Sequence, residues 1–270
     1  MTDMPPPLFD PVSLAHHRRR ATEDGLFLHD LAIDLVQERL AEVNRTFTKP
    51  LIVSWQAERW ARGLGVAAEY SPATETLNLA SHHQYDLVIH GLELHWANDP
   101  VGQLIQVRRS MAPDGLMIAV LFAGETLREL RTALTEAEVE VSNGLSARLS
   151  PLGDVRDLGA VLHRAGYALP VADTFIQTVS YKNALSLFRD LRSMGETNAL
   201  HGRPKTFSRR TVLQETANRL EAKGPFEVTF ELAFLTGWVP DASQPKPMRP
   251  GSASHRLSDA LSVSSDKTST

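Results

Sequence analysis

LIVSWQAERWARGLG, residues Leu51–Gly65, sets the reading of the chain. Leu51-Ile52-Val53-Ser54 is a short apolar run of the length of a buried strand. Glu58–Gly65 reads as a helix that ends in glycines, residues that readily adopt the left-handed conformation common at a helix stop. Between them lies a four-residue turn, Ser54-Trp55-Gln56-Ala57, which contains no glycine and carries a bulky indole.

Outward from this unit, strand and helix signals alternate. Val66–Tyr70 is a weak strand, Tyr85-Asp86-Leu87-Val88-Ile89-His90 a strong buried one, and Pro100–Met111 a helix. Asp114-Gly115 predicts a turn into the strand Leu116–Phe122. Helices are expected near 125–141 and 157–165, then strands at Thr174–Tyr181 and Glu227–Trp238, with helices at Ala184–Met194 and Arg209–Ala222 between them. Such alternation predicts an α/β fold: a mostly parallel sheet with helices on both faces, the two late strands forming an antiparallel edge. Ahead of it, residues 1–13 read as an extended arm, and 13–43 as one or two amphipathic helices. The expected plan is an N-terminal arm with helices over 1–45, an α/β domain over 46–240 with a helical insertion at about 183–222, and a disordered tail over 241–270. Seven of the last 20 residues are serine, too polar a composition to bury a core.

Composition excludes several chemistries. The 270 residues include no cysteine, which removes disulfides, thiolate metal sites and cysteine nucleophiles together. The net charge of −4 gives no reason to expect a nucleic-acid partner. The basic run His16-His17-Arg18-Arg19-Arg20 reads first as the solvated face of a helix. MTDMPPPLFDP is acidic and proline-rich, unlike a secretion signal, and no 18-residue apolar run occurs. The expected location is cytoplasmic, with at most peripheral membrane contact.

The stretch YDLVIHGLELHWANDPVGQLIQVRRSMAP, residues 85–113, followed by Asp114-Gly115-Leu116, resembles the middle of a class I S-adenosylmethionine (SAM) methyltransferase. Leu94-His95-Trp96, Arg108-Arg109 and Pro113-Asp114-Gly115 sit where that family has an L-H-W segment, paired basic residues and a turn into the next strand. Other stretches are similar to a subfamily, the bacterial relatives of the mitochondrial complex I assembly factor that is an arginine hydroxylase with this fold. They are Phe9-Asp10-Pro11 with His17–Ala21, Asp154–Gly159, MGETNAL (194–200), Leu235–Trp238 and QPKPMRPGSA (244–253). The biotin-pathway methyltransferase acting on an acyl-carrier-protein ester shares the layout. The resemblance implies SAM as cofactor and a subunit or assembly partner of respiratory complex I.

The chain departs from the family at the turn. A first strand in a nucleotide-binding α/β fold normally runs into a glycine-rich loop, where the backbone can approach the cofactor. Ser54–Ala57 occupies that position without a glycine. The segment from Gly65 to Tyr85 is short, so the acidic residue expected on the ribose falls to Glu69 or Glu75. Thr74–Leu79 resembles the stretch that contacts adenine. The cofactor-binding candidates are thus Ser54, Glu75, Leu77, His90, Gly91 and His95, the last three lying beyond the carboxyl end of a central strand. A packed strand end is the competing reading for His90 and His95. Trp55 either fills the cofactor pocket, leaving a degenerate enzyme, or points outward. Gly195–Asn198 is either a glycine-terminated helix end or a lid. His82-His83 with His90 and His95 match no established ligand spacing, so no metal is expected, and no catalytic residue is identifiable. Two functions stand: a SAM-dependent methyltransferase tied to complex I, or a non-catalytic assembly protein that keeps the fold.

Overall fold

The computed structural model describes residues 7–77, 79, 84–206 and 208–245. Its centre is a six-stranded sheet: β1 (Pro50–Val53), β2 (Glu69–Ser71), β3 (Tyr85–Gly91), β4 (Met111–Phe122), β5 (Ala168–Tyr181) and β6 (Phe226–Trp238). The spatial order is β2-β1-β3-β4-β6-β5. β1 pairs in parallel with β2 and β3, and β3 with β4; β6 pairs antiparallel with both β4 and β5. The mostly parallel sheet and its antiparallel edge are those expected from the alternation.

Eight helices cover it among the described residues: α1 (Pro11–Arg18), α2 (Phe27–Glu42), α3 (Ala57–Leu64), α4 (Pro100–Ser110), α5 (Arg128–Ser142), α6 (Val155–Ala165), α7 (Ala184–Ser193) and α8 (Arg210–Glu221). Neighbouring strand residues point to opposite faces, and both faces are covered. Ile52, Leu87, Ile89 and Ile118 join one core with α2, α3 and α7. Leu51, Val53, Val88 and Met117 join another with α4 and α6. This is why the central strands read as continuous apolar runs.

Local chemistry fixes the ends. Asp10, Asp99, Asp154 and Asn183 each accept an N–H from the first turn of the helix they precede. Gly65 and Gly166 close α3 and α6 at φ 67° and 81°. Several boundaries differ from expectation, among them those of α1 and β4. α1 begins at Pro11, because Asp10 caps it, so the extended arm is shorter than 13 residues. β4 begins at Met111 and runs through Asp114 at φ 58°, where a turn was expected; the irregularity is absorbed as a register shift between Tyr85 and Leu87.

α1 is stitched to a distant segment. Phe9 pairs with Leu200, the Asp10 N–H donates to Ala199 O at 2.8 Å, and Arg203 pairs with Asp10 at 2.9 Å. From Asp241 the chain forms a separate unit, of which 241–245 are described. His82, His83, the first six residues and the tail from 246, with most of QPKPMRPGSA, lie outside the described residues. Among the described residues, no helix is long and apolar enough to cross a membrane.

Candidate functional site

The carboxyl ends of β1 and β3 open onto a cavity of about 560 Å³. One wall is α1, through Pro11, Leu14 and Arg18. Opposite are Trp55 from the turn after β1, Pro72–Glu75 after β2, and Glu93, Trp96 and Asn98 after β3. A smaller cavity of about 70 Å³ lies beyond Trp96, which lines both. Its walls include His95, Phe122, Leu191, Met194, Glu196 and Phe230.

Between the cavities runs a buried polar cluster. Glu93, whose side chain is 1% exposed, accepts the Trp55 backbone N–H at 2.6 Å and pairs with Arg18 at 2.8 Å. The Arg18 guanidinium also lies 5.3 Å from the Trp55 ring centroid. The next N–H of the turn, on Gln56, donates to Ser54 Oγ at 3.2 Å. Burial pushes the Glu93 carboxyl up to about 7, against the opposing charge of Arg18. Glu196 accepts from Trp96 Nε1 at 2.6 Å, and its Oε2 lies 3.3 Å from His95 Nε2. Burial works against its ionisation, but the bond and charge of His95, with Arg18 and Trp96, hold its carboxyl below the ordinary range. Glu196 Oε1 and His95 Nδ1 are buried without a hydrogen-bond partner.

The six candidate residues separate into two groups. Glu75 lines the larger cavity, with Oε1 accepting from Asn98 Nδ2 at 2.8 Å. His95 lines the smaller one. The others are packed inside. Ser54 Oγ donates to Gly91 O at 2.8 Å. Gly91 lies under Trp60, where a Cβ would stand 2.4 Å from the indole. His90 is fully buried with Nε2 3.2 Å from Gln103 Oε1, and Leu77 packs in the core while its N–H donates to Gln106. Glu69, the other acidic candidate, accepts from the Tyr85 hydroxyl at 2.6 Å. Trp55 faces the larger cavity as a wall, with the open volume beside it.

Sequence reasoning gave no site role to Arg18 or Glu93, and treated Glu196 only as part of a helix end or a lid. Arg18 stood inside a basic run read as solvated, yet its side chain, 13% exposed, turns inward against Glu93. Glu196 stood in MGETNAL, where Gly195 at φ 78° does follow the end of α7 and also turns Glu196 toward Trp96. Glu93 carried no signal, since its role depends on a partner 75 positions earlier in the chain. Among the described residues, no group of three or more His, Asp or Glu could hold a metal.

A mostly parallel sheet with an antiparallel edge and a cavity at its carboxyl ends defines an α/β protein of the class I methyltransferase type. No protein-family model matches the chain. It is 38% identical over 185 residues to the mitochondrial arginine-hydroxylase NDUFAF5 of Dictyostelium discoideum, covering 67% of this chain and 42% of that one. It is 30% identical over 160 residues to the malonyl-[acyl-carrier protein] O-methyltransferase of Methylovorus sp., covering 58% and 52%. A solved structure, a putative methyltransferase from Bacillus halodurans, aligns with a TM-score of 0.49 at 13% identity, over 77% of this chain and 98% of that one. The chain is thus a methyltransferase-fold protein related to the NDUFAF5 arginine-hydroxylases. It spans about half the length of the curated relatives it matches.

Proposed function

We propose that this chain serves the assembly or maturation of respiratory complex I as a methyltransferase-fold binding protein, located in the cytoplasm, whose SAM site is closed. The observation that carries this reading is the Trp55 backbone N–H, which donates to Glu93. A glycine-rich loop leaves its N–H groups facing the ligand without a Cβ in the way. Here the N–H groups of Trp55 and Gln56 bond to Glu93 and Ser54, and a tryptophan forms the wall. Those residues do not fit the methionine part of SAM.

Two or three lost contacts, at about 1–1.5 kcal/mol each, weaken affinity on the order of 30- to 1000-fold. The expected result of a calorimetric titration of the purified chain is millimolar binding of SAM or none. Low-micromolar binding would restore the plain enzyme. That second reading has one observation in its favour, the volume of about 560 Å³ left open beside Trp55, within the range of small-molecule sites.

The complex I assignment is supported by the 38% identity to the arginine-hydroxylase, against 30% to the O-methyltransferase. MGETNAL and QPKPMRPGSA point the same way. Deleting the gene in its host should lower assembled complex I, measured as NADH–quinone reductase activity, with biotin synthesis intact. Biotin auxotrophy with normal reductase would move the assignment to the acyl-carrier-protein relative.

A further inference from the structure

The larger cavity contains a carboxylate of the protein's own. Glu93 receives a backbone N–H from the turn after β1 at 2.6 Å and a guanidinium at 2.8 Å. That pair of donors is of the kind that receives a free carboxylate from a ligand. The arrangement is sealed, with the Glu93 and Arg18 side chains 1% and 13% exposed. Among the described lining residues Arg18 is the one arginine or lysine, and Glu75 adds a second carboxylate. A ligand's carboxylate would therefore find the Trp55 N–H and the Arg18 guanidinium already paired with Glu93, and would lie in a partly buried site with no other cation to receive it. The rest of the wall is different in character. Phe9, Trp55 and Trp96 offer aromatic surface, and Glu75 offers an acceptor for hydroxyl groups. Those features suit a flat, uncharged ring system bearing hydroxyls.

We propose that Glu93 stands in for a ligand carboxylate, so that the cavity takes a neutral nucleoside and rejects the same nucleoside carrying an amino-acid arm. The proposal rests on the closed-SAM-site reading and goes beyond it by naming what enters. It gives Arg18 and Glu93 a role in specificity: together they remove one subsite and leave the remainder of the cavity usable.

The test is a calorimetric titration of the full chain with adenosine, 5′-methylthioadenosine, S-adenosylhomocysteine and SAM. The first two should bind at least about tenfold more tightly than the two that carry the arm. Equal affinities, or tighter binding of the arm-bearing pair, would overturn the proposal. Low-micromolar SAM would overturn the closed-site reading as well. Binding of none of the four up to millimolar concentration would overturn the nucleoside alone and leave the site closed. The variant Glu93→Ala supplies an independent arm, because it releases both the Trp55 N–H and Arg18. S-adenosylhomocysteine should then gain about tenfold or more in affinity while 5′-methylthioadenosine changes little. No gain in a folded Glu93→Ala protein would overturn the stand-in role. Should that variant not fold, the four-ligand series on the unmodified chain decides the matter.

Discussion

Val88→Asp should leave no cooperatively folded protein. Val88 has no exposed surface, and its strand β3 is interior: Leu51 of β1 stands opposite on one side and Met117 of β4 on the other. Its side chain packs in the core formed with α4 and α6, among Leu104, Val107 and Leu162. An aspartate there loses the burial of the valine methyls, worth about 1.5–3 kcal/mol. It also puts an unpaired carboxylate where no water reaches, which costs several kcal/mol more whether the group stays charged or takes a proton. The sum, on the order of 5 kcal/mol or more, rivals the whole stability of an ordinary domain. Val88→Ala, which only leaves a small cavity, should cost about 2 kcal/mol and keep a sharp transition. Circular-dichroism melting checks both, and a soluble Val88→Asp protein with unchanged melting would refute the placement of β3.

Acidification should destabilise the protein through two buried histidines. His29 and His90 are pushed down from 6.5 to about 4 by burial. Their folded pKa lies below the unfolded one, so their stabilising contribution is complete above pH 6.5. It is lost as pH falls through the window from 6.5 to about 4, where the unfolded chain binds more protons. Glu93 acts in the opposite sense. Its carboxyl, raised from 4.5 to about 7, contributes stability that is complete below pH 4.5 and is lost as pH rises through 7. Two histidines against one carboxyl leave a net loss on acidification. His90→Gln places an amide nitrogen where Nε2 stands, so it can still donate to Gln103, and it does not titrate. It should therefore reduce the stability lost between pH 7.5 and 4.5 by about 2–3 kcal/mol, read from urea unfolding at the two pH values. An unchanged loss would mean that His90 takes its proton without unfolding.

Much of the sheet was legible because its strands are buried on both faces, and such strands show as unbroken apolar runs such as Leu51–Val53 and Leu87–Ile89. Helix starts were legible where a side chain of the right type sits just before them, as Asp99 does before Pro100. The short edge strand Glu69–Ser71 was placed too early, since at an edge tertiary pairing outweighs local propensity. β5 proved longer than expected for the same reason: its first residues owe their strand conformation to pairing with Thr236 and Trp238. The site was less legible than the fold. Glu75 and His95 do line cavities, but the residues that organise the turn are Glu93 and Arg18, which meet only through folding. A basic run gives no hint of which arginine turns inward. Arg18 does so because Asp10 and His17, tied to Arg203 and Thr197, fix the rotation of α1.

The sheet order has a consequence for how the chain is made. β6, the last strand in sequence among the described residues, lies between β4 and β5. On the ribosome, therefore, β5 has no neighbour in the sheet until residues 226–238 have emerged, and β4 keeps one side bare for just as long. A nascent chain ending after α8 (Arg210–Glu221) would leave one edge of β4 bare and both edges of β5, a strand 14 residues long. Synthesis of β6 is the step that turns an adhesive intermediate into a continuous sheet, and a stop codon before Phe226 would yield aggregate, whatever the condition of the cavity.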